Sequence, residues 1–147
     1  MNDYSPGAKE YLNRVRRQYY VVKQAEEELT AIKADILSLK ASSMTEHVSG
    51  TKESDLADKY IKLEQYFDAV IAEWDKLIDM RIEAKAMIKM LPDETQQAVL
   101  YARYINCSRW ENIASDMEYS WRGIFKIHGL ALKNFERVHR SALAKCV

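Results

Sequence analysis

The chain has 147 residues, with 22 Lys and Arg balanced by 22 Asp and Glu, and only four Gly and two Pro. That length suits one domain, or a small domain with an elongated companion, and the composition favours helix almost throughout. There is no run of 18 apolar residues and no apolar stretch behind the N-terminus, so neither a membrane span nor a secretion signal is expected. Taking the elements in order, Tyr11, Val15, Gln18, Val22, Ala25, Leu29, Ile32, Ile36 and Leu39 recur at spacings of four and three. This is a coiled-coil stripe and predicts a helix over 8–40. Residues 41–54, ASSMTEHVSGTKES, are rich in Ser, Thr and Gly and read as a mobile loop. Leu56, Tyr60, Leu63, Phe67, Val70, Trp74, Leu77, Arg81, Ala84 and Ile88 then repeat the pattern and predict a helix over 55–90. Each stripe alone would stay wet, so an antiparallel hairpin within 1–90 is expected. Pairing with another copy is the alternative.

Leu91-Pro92-Asp93-Glu94 opens a second region, 91–147, with Pro and two acids suited to a first helical turn. Val99, Leu100 and Ile105 give the apolar side of that helix, which should stop near Asn106-Cys107. Ser108 with Glu111 reads as a capping box for the next helix. Its apolar face is Trp110, Ile113, Ala114 and Met117. Glu118 and Tyr119 make a turn, and Ser120 caps a last helix that buries Ile124, Ile127, Ala131, Phe135 and Val138. Helix, short turn, helix is the helix-turn-helix arrangement, in which the second helix lies in the DNA major groove. The expected outward residues are Arg122, Phe125 and Lys126, with Trp121 on the flank, and Lys126, Lys133 and Arg137 are set to neutralise phosphates. The charge pattern agrees. Residues 120–147 hold six basic side chains and one acid, six minus one, or +5. Residues 9–24 hold five basic and one acid, or +4, while 53–83 is acid-rich.

The stretch LPDETQQAVLYARYINCSRWENIASDMEYSWRGIFKIHGLALKNF resembles region four of the bacterial sigma-70 family. The resemblance is carried by Leu91-Pro92, Val99-Leu100, Arg103-Tyr104, Ile113-Ala114, Tyr119-Ser120, Ile124, Ile127 and Ala131-Leu132, with Trp110 where phage relatives carry an aromatic. The layout of two long helices before such an end resembles the small phage regulators of the ArpU and RinA kind. That resemblance implies control of late phage genes by DNA binding. The pattern usually has Gly where this chain has Cys107 and Glu118, its capping hydroxyl falls at Arg109, and it often has polar or basic residues at Trp121 and Gly123. Glu118 is accordingly expected in a left-handed conformation.

Catalysis is not indicated: no Ser-His-Asp arrangement, phosphate-binding Gly loop or zinc signature occurs, and the acids of 53–83 suit a solvated helix face. Cys107 and Cys146 lack metal spacing and read as free thiols of a reducing cytoplasm. His47, His128 and His139 have no partner at ligand spacing, and His128 reads as a helix-surface or phosphate-adjacent residue. No cofactor or metal is expected. The expected partners are double-stranded DNA, further copies of the chain and RNA polymerase, in a bacterial cytoplasm. The rival expectations are a small-terminase-like packaging protein, which would place its DNA module first, and an adaptor that binds protein without touching DNA.

Overall fold

The computed structural model describes residues 6–45 and 50–145, and every regular element among them is helical. Helix α1 runs Pro6–Thr45 and α2 Gly50–Lys89. After them come α3 (Glu94–Leu100), a π-helical stretch (Tyr101–Ile105), α4 (Trp110–Asp116), α5 (Trp121–Val138) and α6 (Arg140–Ala144). The fold is all-α. The loop expected over 41–54 needs correction, because residues 41–45 and 50–54 are helical; 46–49, with His47, lie outside the described residues. Ser and Thr cost only a few tenths of a kcal/mol each inside a helix. Extending an existing helix is far cheaper than nucleating one, so these residues join α1 and α2.

The chain forms two compact units: Tyr20–Lys76, and a second made of residues up to Tyr19 together with those from Leu77 onward. In the Tyr20–Lys76 unit the two long helices run antiparallel. Trp74 Nε1 donates to Glu26 at 2.8 Å, Lys59 pairs with Asp35 at 3.3 Å, and the Lys40 ammonium lies over the Tyr60 ring. The core is Leu29, Ile32 and Val70, edged by Ala25, Leu63 and Trp74. The α1 stripe is buried as its spacing predicts, except that Ala25 and Leu39 are half-buried. On α2, however, Tyr60 is 41% and Phe67 51% exposed. Two helices meet along a line, so Leu63 and Val70, seven apart, fill the seam while the residues alternating with them are left at its edge.

The second unit is built on two apolar clusters. Ala8, Tyr11, Leu12 and Val15 of α1 meet Ala84 and Ile88 of α2, Leu91, Leu100, Tyr104, Ile105, and Ala131, Leu132 and Phe135 of α5, with Leu143 of α6. The Tyr11 hydroxyl donates to Glu83 at 2.7 Å, and its ring stacks on Phe135 at 6.0 Å. The smaller cluster is Val99, Ile113, Ala114 and Ile124, edged by Trp110, Met117 and Ile127. The helices after Leu91 thus share a core with the start of α1 and the end of α2, and the unit is wider than the 91–147 division drawn from Pro92. Val138, expected inside, is 37% exposed, because α5 ends there and Leu143 of α6 is buried in its stead. His139 is buried, with Nε2 2.6 Å from the Met87 carbonyl oxygen.

Candidate nucleic-acid interface

The geometry begins with three helix ends. Asp93 is the N-cap of α3, and its Oδ1 accepts from the Gln96 amide at 3.0 Å. Pro92 thus precedes the cap and is not in the first turn. The π-helical stretch closes on Asn106, whose amide bonds to the Tyr101 carbonyl at 3.0 Å, and Cys107 follows at φ 56°. The capping box expected at Ser108 is not formed. Arg109 is the N-cap of α4, in extended backbone and without a side-chain cap. The left-handed Cys107 carries the chain through the bend one residue later than the Ser108 pattern requires. The Ser108 carbonyl instead accepts from Arg103 Nη1 at 3.1 Å.

The corner between α4 and α5 is a Schellman motif. Glu118 has φ 59°, its amide bonds to the Ser115 carbonyl at 3.2 Å, and the Tyr119 amide bonds to the Ala114 carbonyl at 2.9 Å. Glu118 is left-handed, as expected for it from the sequence. Ser120 then caps α5, with Oγ accepting from the Gly123 amide at 3.1 Å. Two hydrogen-bonded ends, with only the four residues 117–120 between the helices, fix the direction in which α5 leaves α4.

On α5 the six residues expected to contact DNA are all exposed: Trp121, Arg122, Phe125, Lys126, Lys133 and Arg137. Arg122, Lys126, Lys133 and Arg137 are spaced by four, seven and four, which places them on one face at 3.6 residues per turn. Ile124, Ala131, Leu132 and Phe135 lie on the opposite, buried side. Beside the basic stripe, at the start of the helix, Trp121 (51% exposed) and Phe125 (44%) have ring centroids 5.7 Å apart. Phe125 leans on Trp110 at 5.1 Å, and the Arg103 guanidinium covers Trp110 at 4.7 Å.

His128 differs from its expected surface role. It lies on the Ile124 side of α5, edge-on to Trp110 at 4.6 Å, with Nε2 2.7 Å from the Tyr104 hydroxyl oxygen. Burial, with Lys9 and Arg103 nearby, lowers its pKa to about 4. The ring is therefore neutral at pH 7 and can accept the Tyr104 hydroxyl proton. Its i+4 spacing from Ile124 was the available signal. The Asn134–Gln96 hydrogen bond of 2.8 Å, which ties α5 to α3, had none, since both residues look like surface amides. Cys107 is a free thiol whose pKa is raised by burial, against the opposing influence of Arg81, Arg16 and Arg103; Cys146 lies outside the described residues.

No cluster of three metal-ligating side chains is present among the described residues. No helix among them is long and apolar enough to cross a membrane. No curated protein and no solved structure matches the chain. A family described as a protein of unknown function (DUF1492) matches residues 37–136, a span that includes α2 and the whole α4–turn–α5 corner, and since this is more than half of the 147 residues the chain belongs to that family.

Proposed function

We propose that this protein is a DNA-binding transcriptional regulator of phage or prophage origin, acting on late genes, with α5 in the major groove. The observation that carries the reading is the exposed stripe Arg122, Lys126, Lys133 and Arg137 on a helix held by a capped, left-handed corner. A fixed helix with cations on its outer face and apolar residues on its inner face suits a groove lined by phosphates. The likeness of residues 91–135 to sigma region four, and of the layout to the ArpU and RinA regulators, gives the reading its biological setting in the bacterial cytoplasm. No catalytic step is part of it. One such module offers few base contacts, so the working form is proposed to be a homo-oligomer. The exposed Tyr60, Phe67 and Ile71 of α2 offer apolar surface for that association.

The test is a binding titration over a pool of duplex sequences at several salt concentrations. Arg122→Ala is expected to cost about 1–3 kcal/mol on the preferred sequence and to relax choice at one position. Lys133→Ala is expected to weaken all sequences alike and to lower the salt slope by about one. If both variants bind like the parent, the groove assignment is wrong. A second reading, docking on RNA polymerase or another protein without DNA contact, is favoured by the exposed aromatics Tyr119, Trp121 and Phe125. It predicts no salt-dependent affinity for DNA.

A further inference from the structure

Gly129 lies in the middle of the 18-residue α5 and has helical backbone, since no described Gly has a positive φ. Glycine is among the poorest residues for a helix interior, so such a position calls for a reason. Neighbouring Gly123 has one inside the chain: a Cβ there would come 3.2 Å from Ser120 Oγ, the atom that caps the helix. Gly129 has none, because a Cβ there would meet nothing within 4 Å. The position is a notch in the outer surface. It is bordered by Phe125 four residues before, Lys126 three before and Lys133 four after, all exposed. Two of these three are cationic, the remaining helical neighbour, Leu132 three residues after, is buried, and Arg122, two turns back, continues the cationic face.

We propose that Gly129 is the point where the sugar–phosphate wall of a DNA groove comes against the backbone of α5, with Lys126 and Lys133 receiving the flanking phosphates. This rests on the DNA-binding reading above and adds to it the position of closest contact. A small residue lets two backbones approach, and the cations on either side match an anionic chain and not an apolar partner helix.

The experiment compares the full-length parent, Gly129→Ala and Gly129→Leu in two measurements, thermal melting and titration with mixed-sequence duplex DNA at low and moderate salt. Ala in an open helical position should raise the melting temperature by roughly 2–5 °C. The same substitution should weaken DNA binding about tenfold, comparable to the loss from one mismatched base pair, and Leu should weaken it further. A variant that is more stable yet binds less well cannot be explained by misfolding. Undiminished binding by both variants overturns the proposal while leaving the DNA-binding reading intact. A lowered melting temperature for Gly129→Ala also overturns it, since the position would then not be open. If the parent itself fails to bind duplex DNA at low salt, the DNA-binding reading fails, and this inference with it.

Discussion

At the scale of single residues, His128 has a testable consequence. Its pKa is near 4 in the folded chain, against an ordinary 6.5 when unfolded. Between those values the unfolded chain binds more protons, so stability rises with pH across that window. The contribution is complete above about pH 6.5 and is lost as the pH falls toward 4. Because His128 keeps some contact with solvent, its size is on the order of 2 kcal/mol. Melting temperatures of the parent and of His128→Gln, measured from pH 7 down to pH 5, are expected to converge as the parent loses more. Parallel pH curves would mean that His128 titrates like a solvent-exposed imidazole, outside the Trp110–Tyr104 pocket.

The relevant element is the corner between α4 and α5. Its hydrogen bonds are those of a motif that normally places Gly at the left-handed position, and this chain has Glu118 at φ 59°. The Cβ of Glu clashes there, whereas Gly is unstrained. Glu118→Gly is expected to stabilise the protein by several tenths to about 1 kcal/mol, net of the added freedom of Gly in the unfolded chain. Thermal melting of the full-length protein reads this directly, and a clear loss of stability would contradict the left-handed assignment. Cys107, at φ 56°, is the other non-Gly residue with left-handed backbone among the described residues.

For the molecule as a whole, the question is what the helices after Leu91 need in order to fold. Leu100, Tyr104 and Phe135 are fully or nearly fully buried, in a cluster that also holds Leu12 and Val15 of α1 and Ile88 of α2. A fragment of residues 91–147 would leave that face in water. It would retain the smaller core of Val99, Ile113, Ala114 and Ile124, and its own part of the larger cluster without the α1 and α2 residues that cover it. Such a fragment is expected to melt without a cooperative transition, whereas the full chain melts cooperatively. A sharp transition in the isolated fragment would mean that the α1 and α2 contacts are dispensable for it.

Local rules acting within a few turns made much of this legible from sequence. Heptad spacing marked the α1 stripe, a hydroxyl before an apolar run marked the Ser120 cap, and the 3.6-residue period sorted α5 into buried Ile124, Ala131 and Phe135 and exposed Arg122 and Lys126. These features depend on intrachain hydrogen bonds and side-chain direction, which a short segment specifies by itself. Contacts distant in sequence followed no such rule. Which residues of the α2 stripe face the seam depends on where α1 lies, so Phe67 is exposed while Val70 is buried. His128 reads as polar surface until Trp110 and Tyr104 are packed around it, and the helices after Leu91 read as a separate domain until Tyr11 and Leu12 are found in their core. Burial is a property of neighbours brought together from afar, and only the tertiary structure decides which neighbours those are.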